Sequence, residues 1–593
     1  RIASPSRSMS SLAWPGDYVA DDKSGLDKEV LLEAFRSSSG VHNLTDDEVE
    51  IVFSTMEATV WFYPLNETHR FYELDTVARA SANKLFKPAF AASWLNKNSA
   101  PAPNSSLLYT TAWLDLSKLD SSDYGEQVLY LPSNPDDHYY VFAVLDSYIN
   151  TVGSFGPRNP INGDSKSPAL ILIAGPESPY YDQAGATVVI TDDTGNQNSM
   201  HVLQVDTPRA WVTARINANT LDAESMAATR SFINGSAEGA EKGFQLTSLS
   251  DFKANGTVPY ASPITQTSSG AHVNAARLRW GNIPKSALRF FEQVDQALKL
   301  NPVPSMLEGK SNTTPASYQI RINNQNVNQD SSNSGNTYQP PSALDTDQKT
   351  DLNQRFAAIG LNLSTGFTKP SWSARTEEIF EKSYQAAQDL LRAATTELVK
   401  GEKDTNKGWN ITNENIGVYP NNWESWLVRA GTAIDGGAAN IPNDAVYPTT
   451  EIDQQGHSLT STYNYKVTIP LFRPESDNHV EKNGPAQGFW SFTIYQPNPG
   501  NAYQPFLIEN SISNTVYSPI NSTATLTETG KLKTAKPGNW NSGTTEGTAL
   551  ITGSKVDIEG LDANTIYYVK SAEEVDDGMN LQLILSSDYE PKF

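Results

Sequence analysis

Seven short apolar runs lie between residues 107 and 216: "LLYTTAWLDL", "QVLYLP", "HYYVFAVLDSYINTV", "ALILIAG", "ATVVITDD", "SMHVLQV" and "AWVTARI". Gly, Pro, Asn and Asp clusters separate them. Runs read as strands with turn signals at short intervals predict an antiparallel sandwich or barrel. Helical spacing takes over later, in "SALRFFEQVDQALKL" (286–300), "TDLNQRFAAIGL" and "SARTEEIFEKSYQAAQDLLRAATTELVKGE" (373–402), and in "NNWESWLVRAGTAI". From about 445 strand-like runs return, among them "GFWSFTIYQ", "TIYYVKS" and "NLQLILS". The expected fold class is therefore β-rich α+β, with two antiparallel β modules joined by a helical bridge. A lead segment with one amphipathic stretch, "DKEVLLEAFRSS" (27–38), covers 1–60. The first β module is assigned to 61–235, the bridge to 236–430 and the second β module to 431–593. A second helix-like stretch is "DTVARASANKLF" (75–86). The Asn-, Ser- and Gln-rich stretch 309–342 has few core-forming side chains and reads as a surface insertion.

A chain of 593 residues is too long for one core. Its net charge of −23 repels phosphate backbones and anionic lipid surfaces. No apolar run is long enough for a membrane helix. Nucleic acid and membrane are therefore not expected partners. The chain has no cysteine, which excludes disulfides, thiolate nucleophiles and Cys-ligated zinc. It begins at Arg1, is acidic and lacks free thiols, so a mature extracellular or secretory-pathway protein is expected. Sequons stand at Asn43, Asn66, Asn104, Asn234, Asn255, Asn312, Asn362, Asn410 and Asn521, although chance alone supplies about as many. Glycosylation of these asparagines follows only if secretion does.

The long third run carries Asp146, Tyr148 and Asn150 at alternate positions. On a strand these would share one face, with Leu145 and Ile149 on the other. Asp146 follows Phe142 and Val144, where burial would raise its pKa. It is the candidate acid or base, with Tyr148. Arg158, after a Gly-Pro turn, is a candidate anion clamp. Asn150, Tyr109 and Arg215 are candidate ligand contacts. Because the run is apolar on both faces, the polar row is expected to face the interior. Three readings stay open: a ligand site, a structural ion pair of Asp146 with Arg215, or a solvated sheet face.

Other chemistry is sparse. There is no G-x-S-x-G, H-E-x-x-H, P-loop or G-x-G-x-x-G. The seven histidines never pair at metal-ligand spacing. "DDTGNQNSM" (192–200) and "DQQGHS" (453–458) read first as hairpin turns. No metal site and no cofactor are expected, a hard cation such as calcium being the only one the oxygen-rich loops would suit.

Several of these elements resemble a known family. "YTTAWLDLS" (109–117), "HYYVFAVLDSYINTVGSFGPR", "ILIAGP" and "TPRAWVTAR" resemble domain of unknown function 1254. "GVYPNNWESWLVRAGTAI" with Arg429, "DAVYPTTEIDQQGHSL" and "GFWSFTIYQ" resemble the bridge and domain of unknown function 1214 that follow it. The chain departs from the pattern at Ser106, where an acidic residue is usual, and lacks arginines usual within 509–518 and near the C-terminus. The resemblance implies β-sandwich or jelly-roll-like modules bridged by helices, often in a homo-oligomer, and no defined activity.

Three functions compete. A cofactor-independent hydrolase, lyase or isomerase acting on a small or carbohydrate-like molecule needs only acid–base groups such as Asp146 and Tyr148. A non-catalytic binder of glycan or cell wall would use Trp113, Trp211, Trp423, Trp426 or Trp490 as stacking surfaces. A structural oligomer would use the β modules as assembly faces. The enzyme is favoured, because a polar row inside an apolar strand costs stability and a ligand would explain it.

Overall fold

In the computed structural model, residues 28–264 and 284–305 are described apart from 89–90, 92–103 and a few shorter stretches. Residues 344–460 follow with short gaps, and beyond 460 only strand segments between 491 and 586 are described. The chain is mixed α+β, with several antiparallel sheets and eight described helices.

The chain opens with α1 (Lys28–Ser39) and α2 (Asp46–Ala78). Thr45 and Glu48 start α2 with a reciprocal capping box, Glu48 N to Thr45 Oγ1 at 3.3 Å and Thr45 N to Glu48 Oε2 at 2.9 Å. This 33-residue helix runs straight across the boundary expected at 60/61. The stretch expected to be helical at 75–86 supplies only its last turn. Residues 51–66 of α2 are buried on every side, so no amphipathic stripe marks them in the sequence.

The strands of the first β module form two sheets. One has the order β1 (Leu107–Asp115), β8 (Arg209–Asn217), β3 (Tyr140–Asp146), β4 (Thr151–Phe155), all antiparallel. The other has the order β6 (Thr187–Thr191), β7 (Gln197–Gln204), β5 (Ala169–Ala174), β2 (Gln127–Leu131), β9 (Gln245–Ser248). The β5–β7 pair is parallel, which departs from the expected all-antiparallel module. Leu108, Phe142, Val144 and Val212 from the first sheet share one core with Leu129, Ile171, Ile173 and Leu203 from the second. Between the two sheets' elements lie α3 (Ala223–Asn234) and, after β9, α4 (Leu249–Asn255).

The opposite face of the first sheet meets helices. Ala143, Leu145, Tyr148 and Ile149 join a core with α1, α2, α5 (Ala287–Leu300), α6 (Thr346–Phe356), α7 (Ala374–Ala394) and α8 (Trp423–Asp435). The helical layer is thus assembled from both the lead segment and the expected bridge. No helix among the described residues is long and apolar enough to cross a membrane.

The two loops read as hairpin turns are so. Asp192 Oδ1 accepts from Thr194 N and Asn196 N at 2.9 Å each. Asp453 Oδ1 accepts from Gln455 N at 2.9 Å and His457 N at 2.8 Å. In the C-terminal part, Ser491–Phe492 pairs with Ile512–Ser513 and Tyr495–Gln496 with Phe506–Leu507. Ala549–Ile551, Ile566–Val575 and Asn580–Ser586 form a three-stranded antiparallel sheet. The stretch 309–342 lies outside the described residues.

Candidate functional site

Five of the six candidate site residues are described, and they fall into two places. The first is a tight turn. The run read as one strand breaks after Asp146, and β4 begins only at Thr151. Asp146, Tyr148 and Asn150 therefore do not form a strand row. The break has a local cause in Asp146 itself. Its Oδ1 accepts from Tyr148 N at 2.8 Å and Asn150 N at 2.9 Å, and its Oδ2 from Asn150 Nδ2 at 2.8 Å. Short polar side chains compete with the sheet ladder in this way, as in Asx turns. Ile149 is forced to φ +60°, which a β-branched residue adopts only under constraint.

All three polar residues are interior, as the apolar run implied: Asp146 is 1% exposed, Tyr148 and Asn150 0%. The solvated-face reading therefore fails. The ion pair with Arg215 fails too. Asp146 lies opposite Ala210 on β8, whereas Arg215 lies opposite Val141. Five residues of strand separate them, about 17 Å. Burial pushes the Asp146 carboxyl up to about 6; Asn150's amide pulls it down and Asp206 pushes it up. Burial also pushes the Tyr148 phenol well up, and Tyr148 Oη donates to Asn301 O at 3.2 Å. The turn is pinned to the helical layer: Thr68 Oγ1 donates to Ser147 O at 2.5 Å, and Ser147 Oγ donates to Asn301 Oδ1 at 2.9 Å. Trp61 meets Tyr148 edge-on at 5.4 Å, and the fully buried Arg429 lies over Trp61 and donates to its carbonyl at 3.1 Å. This arrangement suits a keystone between sheet and helices.

The second place lies at the far end of the same sheet. Tyr109 and Arg215 are cross-strand partners on the face toward the helices and the C-terminal part. Asn440 and Asp444 lie along that face. Arg215 Nη1 donates to Asn440 Oδ1, Tyr139 Oη to Asp444 O at 3.3 Å, and Ser154 Oγ to Asp444 Oδ2. Asn104 N donates to Tyr109 Oη at 3.0 Å, and Asn104 Nδ2 donates to Ser491 Oγ at 2.6 Å. Tyr447 and Tyr495 complete the group. Burial raises the Tyr109 phenol, Arg215 lowers it, and Tyr447 raises it; Tyr495 is raised by burial and by Tyr109 and Tyr447. Tyr109 and Tyr495 are half-buried and Tyr447 is exposed, so this cluster opens to solvent, unlike the Asp146 turn.

Arg158 lies outside the described residues. Sequence reading missed Asn440, Asp444, Tyr447 and Tyr495 as site residues, because nothing local marks them; only their distance in the chain from Tyr109 is closed by folding. The tryptophans proposed as stacking surfaces are mostly core. Trp113 and Trp211 stack on each other at 5.1 Å, Trp113 is 3% exposed and Trp426 3%. Trp490 lies outside the described residues.

Among the sequons, Asn66 is 1% exposed inside α2, so it cannot carry a glycan in this fold. Asn43 and Asn255 are exposed, and Asn104, Asn234, Asn362 and Asn410 are half-buried. Asn312 and Asn521 lie outside the described residues. Among the described residues no group of three or more His, Asp or Glu is placed to hold a metal ion.

One further buried group carries no sequence signal. Lys87 is 3% exposed, and its Nζ has no hydrogen-bond partner among the described residues. Burial lowers its ammonium pKa to about 8.

Residues 86–237 match a protein family of unknown function, DUF1254. That stretch holds the Asp146 turn, Tyr109 and Arg215. No curated protein matches the sequence. A solved structure, the VPA0106 protein from Vibrio parahaemolyticus, is similar with a TM-score of 0.42 at 12% identity, over 75% of this chain and 79% of that one.

Proposed function

We propose that the protein binds a small polyhydroxylated, carbohydrate-like molecule at the Tyr109–Arg215–Tyr447–Tyr495 cluster. The carrying observation is that this cluster joins phenols and a guanidinium at an open place, while the Asp146 row is enclosed and turned on its own backbone. Tyrosine offers an apolar face with a polar tip, the combination that sugar rings use. Within this proposal the chain is a secreted, acidic glycoprotein. Its two-sheet first module is a β-sandwich, and residues 431–593 form the companion module of domain of unknown function 1214. The assembly is a homo-oligomer.

A catalytic reading rests on the same cluster. Burial raises the Tyr109 phenol above its ordinary value and Arg215 offsets this only in part, so the group stays protonated and would act as a proton donor to a ligand oxygen. Hydrolysis, elimination or isomerisation would then proceed without a cofactor. The test is calorimetric titration of neutral and acidic monosaccharides and short oligosaccharides against wild type and Tyr447→Ala. Product analysis by NMR on the same mixtures reports turnover. Binding that is lost in Tyr447→Ala supports the site. No heat with any sugar removes the binding reading, and binding without product over days removes the catalytic one.

A further inference from the structure

The charge environment of Arg215 differs from that of six of the eleven described arginines. Arg70, Arg79, Arg209, Arg355, Arg375 and Arg392 each pair with a carboxylate within 3.2 Å. Arg215, half-buried on β8, meets only neutral groups among the described residues: the side-chain carbonyl of Asn440 and the phenol of Tyr109. In a chain of net charge −23, neutral partners for Arg215 among the described residues are not explained by a shortage of carboxylates. Asn440, itself 2% exposed, holds one edge of the guanidinium in place. A planar guanidinium so oriented recognises a carboxylate through two parallel N–H donors. The Asp444 carboxylate on the same segment accepts from Ser154 Oγ, and the phenols supply ring surface and hydroxyl contacts.

We propose that the ligand of this cluster is an acidic sugar, a uronate, whose carboxylate pairs with Arg215 while its ring lies against the tyrosines. This inference rests on the binding reading above and narrows it to one chemical class. Glycans that carry uronates present one carboxylate and several hydroxyls per residue, which matches one cation among several phenols.

The test compares galacturonate, its methyl ester, galactose and acetate as ligands for the full chain by calorimetry. Galacturonate should bind about tenfold or more tighter than galactose and than its own methyl ester. Arg215→Gln should erase that preference and leave the far-ultraviolet circular dichroism unchanged. If that variant fails to fold, the ester comparison removes the same charge from the ligand side with the protein intact. Equal binding of galactose, ester and galacturonate overturns the uronate inference and leaves the carbohydrate reading standing. Acetate binding as tightly as galacturonate overturns it in favour of a bare anion site. No binding by any of the four overturns both.

Discussion

Asp146 is charged at a cost. Its folded pKa of about 6 lies above the ordinary carboxylate value, so its contribution to stability is full below about pH 4 and is lost as pH rises through about 6. The loss amounts to roughly 3 kcal/mol from this group alone. Urea unfolding of wild type and Asp146→Asn at pH 4, 5, 6 and 7 isolates it. The gap between the two proteins should move in favour of the variant as pH rises, because Asn keeps one acceptor for the turn's N–H groups and cannot ionise. A gap independent of pH would rule out a buried, titrating Asp146. Lys87 follows the opposite sign: its folded pKa is lowered to about 8, so stability is lost as pH falls through that value. Replacing a buried ammonium that has no partner among the described residues with an apolar side chain of similar length relieves this. Lys87→Met is expected to raise stability by about 1–3 kcal/mol at pH 7, read from the urea midpoint. A lower midpoint would mean that Lys87 has an ionic partner.

At the scale of elements, α2 is where sequence reading and structure part most. A helix buried on all sides has no periodic contrast between faces, and its aromatic and β-branched residues imitate strand composition. Helices with one wet face, such as α1, α5 and α7, were legible because that contrast survives in the sequence. The same difference decides Asn66. Its sequon is legible, but its place in α2 is not. Glycopeptide mapping of protein secreted from a eukaryotic host should find glycan at Asn255 and none at Asn66. Occupancy at Asn66 would contradict the buried α2.

At the scale of the molecule, the stretch 306–343 leaves and rejoins the fold at one point. Ser305 and Leu344 are bridged, with Leu344 N donating to Pro304 O at 3.0 Å. Its excision with a short Gly-Ser joint keeps both ends where they are, and a change in connection length alters closure entropy only slowly. The melting temperature of the excised protein should stay within a few degrees of wild type. Loss of soluble protein would show that the stretch contributes to the core.

The strands between 107 and 216, most of the later helices and the two Asx hairpins follow from local chemistry: alternating or continuous apolar runs, turn residues and caps act over a few positions. Burial of Asp146 was legible for the same reason, since a run apolar on both faces has no wet side to offer. Its shape was not. Whether the run continues as a strand or folds back at Asp146 depends on a carboxylate choosing its own backbone over the neighbouring ladder, with Trp61, Thr68 and Asn301 closing around the result. The grouping of Tyr109 and Arg215 with Asn440, Tyr447 and Tyr495 likewise exists only in three dimensions. The first two lie more than two hundred positions from the other three, and only the packing of distant segments against one sheet face brings them together.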